Sequence, residues 1–278
     1  MTAWINTWIV PPGSETRPTS YVLVAAAAML MMAVSKGGFG GLAIVSGPLL
    51  MMVTDARTAL GLMLPLLLVC DTMTLPLYPR EFVWRPILRL APWVITGIVI
   101  GWFLLDHVTE STAPLLKVGV GLLAVAFVVL EIVRWAVARR EKRRVKPWRP
   151  GIVASIPFGL SAGITTMLAH AAGAITVIYL LPQRLASRVF VGTTARFYFI
   201  FNAIKIPFYV ELGLINRATL QRSIWLLPVC AVGVWSGSAL NRRVSQRGFR
   251  IVVSVLLLLT GLMLIHRNRE VLPSLFGG

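Results

Sequence analysis

Acidic residues are scarce in this chain: ten Asp and Glu stand against 27 Lys and Arg in 278 residues. Charge of either sign is scarce too, at 13% of residues, where a soluble domain carries about a quarter. The two cysteines, Cys70 and Cys230, lie inside apolar segments, which argues against a disulfide scaffold and makes them small packing residues. The three histidines, His107, His170 and His266, do not supply paired His and Glu at metal-ligand spacing. Alternating ten-residue segments, the mark of a membrane barrel, are absent. The phosphate-binding pattern G-x-x-x-x-G-K-[ST] is absent as well, so no direct use of ATP is expected. The first twenty residues, with Pro11, Pro12, Glu15 and Arg17, lack the basic-then-apolar order of a cleavable signal peptide.

Apolar sequence is what the chain has in abundance. Hydrophobic residues make up 57% of it and the mean hydropathy is +0.79. Several runs approach ~20 residues, the length that crosses a hydrocarbon core. The fold class is therefore an all-α polytopic membrane protein. The net charge of +17 fits basic cytoplasmic loops against anionic lipid better than a nucleic-acid partner. Full or nearly full spans are read at 58–78, 86–105, 113–138, 189–209 and 223–240, and a shorter uninterrupted one at 249–265. Four further segments, 21–34, 42–53, 152–165 and 173–181, read as too short to cross alone. They form two pairs, each flanking a break of small or polar residues.

The run RREKRRVKPWR, residues 139–149, holds seven basic residues and marks a cytoplasmic linker. It separates two similar halves. DTMTLPLY at 71–78 matches NAIKIPFY at 202–209, and at the same offset of 131 Arg57 meets Arg188, Gly61 meets Gly192 and Asp71 meets Asn202. Gly97 and Gly101 correspond to Gly233 and Gly237 at an offset of 136. The expected organisation is a polar N-terminal segment 1–20, a first membrane repeat 21–138, a linker 139–150, a second repeat 151–265 and a tail 266–278. Duplication of this kind is the plan of secondary transporters.

If each broken segment crosses once, the repeats are parallel and Arg184, Arg188, Arg242, Arg243, Arg247 and Arg250 fall outside, against the positive-inside rule. If each dips in and returns as a re-entrant hairpin followed by three transmembrane helices, the repeats are inverted. The cytoplasm then receives 16 of the 27 basic residues, and both termini lie outside. The inverted reading is preferred. It brings the hairpin tips, 35–41 and 166–172, toward each other, and non-helical backbone at that depth must line a cavity or be buried in protein.

SKGGFGG, residues 35–41, is the first candidate site. Ser35, Gly37, Gly38, Gly40 and Gly41 expose backbone amides, and Lys36 adds a positive charge. The second tip offers Thr165, Thr166 and His170. The helices that follow carry Asp71 in the first half and Thr194, Arg196, Asn202 and Lys205 in the second. Ionisable residues within spans mark sites by default, although Lys205 also reads as a lysine snorkelling from a helix end. Lys36 and Arg196, with Lys205 beside them, outnumber Asp71, so the expected ligand is an anion. Asp71 and His170 are the proton-carrying candidates. No cofactor or metal is expected.

KGGFGGLAIVSGPLL, the DARTALGL helix after it, the basic linker and the duplication resemble the sulfite exporter TauE/SafE family over residues 20–265. The family's glycine pattern corresponds to Gly37, Gly38, Gly40, Gly41 and Gly47, whereas the second half has HAAG in the matching place. The resemblance implies an inner-membrane, multi-pass carrier of sulfite or of an organosulfonate such as sulfoacetate. An anion channel, a carboxylate carrier and, less favoured, an intramembrane enzyme are the alternatives. The expected partners are the small anion and membrane lipid, with a homodimer as a candidate assembly and no nucleic acid.

Overall fold

A computed structural model describes residues 10, 17–37, 42–109, 111–140, 150–240 and 246–271. Most of the linker, Gly38, Gly40 and Gly41 of the first tip, and Arg242 and Arg243 lie outside the described residues. Ten α-helices are described: α1 (Pro18–Lys36), α2 (Leu42–Met51), α3 (Ala56–Thr74), α4 (Trp84–Asp106), α5 (Ala113–Arg140), α6 (Ile152–Ala169), α7 (Ala172–Leu180), α8 (Ser187–Glu211), α9 (Arg217–Leu240) and α10 (Gln246–Arg267). No strand occurs among the described residues. Among the described residues six helices are long and apolar enough to cross a membrane: α1, α3 with the short turn after it, α4, the first part of α5, α6 and α8. Leu88, Phe103 and Trp235 are among many large apolar side chains exposed on the outer surface, as a lipid-facing bundle requires.

The arms of the two breaks are unequal, which corrects the expectation that all four are too short. Helices α1 and α6 have 19 and 18 residues and rise ~28 and ~27 Å. Helices α2 and α7, with 10 and 9 residues, rise only ~15 and ~14 Å. Hydropathy underestimates the long arms because Pro18 starts α1 before the apolar run begins and Ser35–Lys36 complete its last turn. Thr165 and Thr166 likewise continue α6, their hydroxyls lying within a helix that runs on to Ala169.

Glycines set how closely the helices approach. A Cβ on Gly97 would strike the Leu160 carbonyl, one on Gly163 the Val94 carbonyl, and one on Gly101 the Met167 side chain, so α4 and α6 run parallel in backbone contact. Likewise Gly233 meets Ala33 and the Leu30 carbonyl, and Gly237 meets the Val34 carbonyl, so α1 and α9 do the same. Helix α1 of the first half therefore packs on α9 of the second, and α6 of the second half on α4 of the first. Close packing on small residues is a principal source of helix association where lipid offers no hydrophobic gradient.

Helices α3 and α8, matched at the offset of 131, run antiparallel. Gly61 near the start of α3 lies against the Leu214 carbonyl just beyond α8, and Gly192 near the start of α8 lies against the Glu81 carbonyl just beyond α3. Between these ends Asn202 donates to Asp71 at 2.8 Å. The matched arginines cap the two ends. Arg57 donates to the carbonyls of Leu105, Val108 and Leu212, and Arg188 donates to Glu81 at 2.9 Å.

Hydrogen bonding from Arg188 holds the Glu81 carboxylate below its usual range. A depressed carboxylate stabilises the fold above its unfolded pKa, about 4.3, and loses that contribution as the pH falls through the folded value. Glu81→Gln removes this component. Thermal unfolding is therefore expected to show the variant less stable than the wild type at pH 7, with the difference shrinking as the pH falls below the unfolded value.

Candidate functional site

The two breaks and the α3–α8 crossing gather one buried polar cluster. Lys36 sits on the last turn of α1. Its Nζ lies 2.6 Å from Asp71 Oδ1, with the lysine side chain 8% exposed and the carboxylate fully buried. The same Nζ stands 4.3 Å from the centre of the Tyr198 ring, whose face adds a cation–π contact. Asn202 occupies Asp71 Oδ2. Both carboxylate oxygens are thus engaged, one by a charge and one by an amide.

The second part of the cluster is built at the α6–α7 turn. Helix α6 ends on His170 in the left-handed region, φ 51°, a position where glycine is usual. The backbone NH groups of His170 and Ala171 return to the Thr166 and Thr165 carbonyls and close the turn. Histidine is held in this conformation by both ring nitrogens. Its Nε2 is 3.2 Å from the Leu60 carbonyl, which can only accept, so Nε2 carries the proton. Its Nδ1 then accepts from Lys205 at 2.9 Å. Lys205 also donates to the Thr166 carbonyl and hydroxyl, both at 3.1 Å. Three neutral acceptors surround the Lys205 Nζ, and among the described residues no carboxylate pairs with this lysine.

Lys205 is fully buried, which corrects the snorkelling alternative. Helix α8 continues six residues beyond it to Glu211, so its amine has no short route to water. Tyr209, one turn on, donates to the Met167 carbonyl and seals that flank.

Of the residues singled out from sequence, Lys36, Asp71, Thr166, His170 and Asn202 come together. Arg196 does not: its guanidinium donates to the Gly192 and Pro79 carbonyls and stacks 3.6 Å from the Phe82 ring centre. It fastens the loop after α3 to α8. Thr165 and Thr194 turn their hydroxyls back onto Ser161 and Val191. Gly37 is pressed against the α9 backbone at Val234 and Ser238, so it serves helix packing, and Ser35 is half-buried beside it. Gly38, Gly40 and Gly41 lie outside the described residues. Lys205, counted among the buried cations from sequence, joins the cluster, and Tyr198 is the member not singled out from sequence. Its signal is spacing: it lies four residues before Asn202, on the same helical face.

An apolar cavity of about 390 Å³ adjoins the second tip, lined among others by Ile44, Pro48, Phe127 and Ile175. Thr165 and Ala169 face this cavity while Thr166 and His170 face the cluster, so the turn separates the two. The cysteines are free thiols, both buried.

A helical bundle of this length and hydropathy, with charged groups enclosed where two helices break, defines a multi-pass membrane protein. The model of the sulfite exporter TauE/SafE family matches residues 24–264, and the chain belongs to that family, a family of membrane transporters. No curated protein matches it, and no solved structure does.

Proposed function

We propose that this protein is a secondary transporter of the cell inner membrane that moves a small sulfur oxyanion, sulfite or an organosulfonate such as sulfoacetate, bound between its two hairpin tips. One observation carries the reading. The enclosed cluster holds two lysines against one aspartate, leaving one positive charge in excess where an unpaired ion is costly. An anion of small size supplies the missing charge. Thr166 and the amides around the breaks are the neutral donors for its oxygens, and the family supplies the sulfur chemistry.

The antiparallel course of α3 and α8 supports inverted halves, with both termini outside and the hairpins entering from opposite faces. Rocking of one unit against the other then exposes the cluster alternately to each side. Asp71 carries the coupling proton, because its protonation releases Lys36 for the ligand. His170 is the weaker candidate, since its remaining lone pair is engaged by Lys205.

Thermal unfolding of the purified protein across sulfite, methanesulfonate, sulfoacetate and dicarboxylates tests the reading. A ligand at 100 times its Kd stabilises by about 2.7 kcal/mol, which raises the melting temperature by several degrees. The sulfur anions are expected to do so and the dicarboxylates are not; no shift with any of them refutes the proposal. In proteoliposomes, accumulation of sulfoacetate, a dianion at neutral pH, is expected to follow an imposed pH gradient.

A further inference from the structure

We propose that the buried charges set the valence of the bound anion: Lys205 holds a monoanion in the resting site, and a dianion binds only together with a proton on Asp71. This rule rests on the anion-site reading above and goes beyond it, because it separates ligands by charge and fixes the stoichiometry of the coupled proton.

The geometry behind it is the unequal treatment of the two lysines. Lys36 has its counter-ion in contact, 2.6 Å away, and contributes no net charge while Asp71 is ionised. Among the described residues Lys205 has only neutral partners, Thr166 and His170. Yet the two centres adjoin: Asn202, whose amide holds Asp71 Oδ2, lies three residues before Lys205 on the same helix. His170 adds no second charge beside the ammonium: with Nε2 on the Leu60 carbonyl and Nδ1 facing Nζ, a further proton would set two donors head to head.

Among the described residues, the other ionisable groups beside the pair are the phenols of Tyr198 and Tyr209 from α8 and the Cys70 thiol on Asp71's own helix, with Cys230 from α9 against Cys70. Thiols and phenols are neutral as donors and leave the count unchanged. One excess positive charge matches one negative charge on the ligand. A ligand with two negative charges leaves the enclosed site negative unless Asp71 is neutralised, and a proton is the only partner small enough to reach a fully buried carboxylate already held on both oxygens.

The probes are methanesulfonate, a monoanion throughout the neutral range, and inorganic sulfate, a dianion throughout it. Their dissociation constants are measured on the full chain in lipid nanodiscs between pH 5.5 and 8. Methanesulfonate is expected to change by less than about threefold. Sulfate is expected to weaken by about tenfold per pH unit wherever the free site has Asp71 ionised, the slope of a one-proton linkage. Asp71→Asn flattens the sulfate profile. Lys205→Gln gives methanesulfonate the tenfold slope, because the proton on Asp71 must now supply the charge. The double variant Lys205→Gln with Asp71→Asn, which retains Lys36 alone, restores a flat methanesulfonate profile.

A flat wild-type sulfate profile, an unchanged sulfate slope in Asp71→Asn, or a flat methanesulfonate profile in Lys205→Gln overturns the rule while leaving the anion site standing. Failure of the wild type to bind either probe overturns both. The Asp71→Asn arm decides the question even if Lys205→Gln does not fold.

Discussion

Lys36→Met lowers the stability of the folded protein by about 3–5 kcal/mol, the usual loss when one partner of a buried ion pair is removed. The Asp71 carboxylate is fully buried and, among the described residues, Lys36 is its only charged contact, at 2.6 Å; of those residues Asn202 then remains to solvate it. The double variant Lys36→Met with Asp71→Asn regains most of the loss, because no unpaired charge is then enclosed. The amide nitrogen at position 71 would face the Asn202 amide, which can turn to present its oxygen. Melting of the two single variants and the double, in one detergent, measures the coupling. Additive losses, within the ~0.5 kcal/mol expected for independent sites, would mean that the pair does not act as a unit.

Gly61→Val and Gly192→Val each abolish the native packing of α3 on α8. The new side chain would occupy the place of a carbonyl oxygen, Leu214 for one and Glu81 for the other. These obstacles are backbone rather than the movable end of a side chain. A typical overpacked core loses about 1–3 kcal/mol, and displacing a loop that Arg57 or Arg196 also holds places these two variants at or above the top of that range. Gly119→Ala is the control. Nothing lies within 4 Å of a Cβ at that position, and a helical glycine replaced by alanine gains about 0.5–1 kcal/mol. Monodisperse elution and melting temperature of the three variants provide the comparison. Wild-type melting in either valine variant would show that the loops are free to withdraw.

Much of this arrangement is legible in the sequence, for a definite reason. Apolar runs record which segments lie in lipid, and the two breaks interrupt them conspicuously. The offset of 131 pairs Asp71 with Asn202 and Gly61 with Gly192, and all four prove to mark the same crossing. What hydropathy does not carry is direction. Arg196 and Lys205 both read as cations within one span, yet the guanidinium lies near the helix start and reaches the Pro79 carbonyl, while the lysine is enclosed one helical turn from Asn202. Chain length decides between them: α8 extends to Glu211, so what resembles an end position for Lys205 is interior. The unequal arms of the breaks were hidden for a related reason, since Ser35, Lys36, Thr165 and Thr166 end an apolar run without ending a helix.

The Asp71–Asn202 contact has a consequence for the chain as a whole. Two identical half-chains would place the same residue on both sides of that crossing. Two carboxylates so close could not both ionise, and two amides would leave Lys36 with no counter-charge. Carriage of both halves on one polypeptide removes the deadlock, since each copy of the position is then free to change alone. The difference between a carboxylate oxygen and an amide nitrogen at one matched pair turns a symmetric crossing into a polarised one, with an acceptor facing the Lys36 tip and a donor facing back. The asymmetry of the two halves is thus carried, at their crossing, by a single matched pair of side chains.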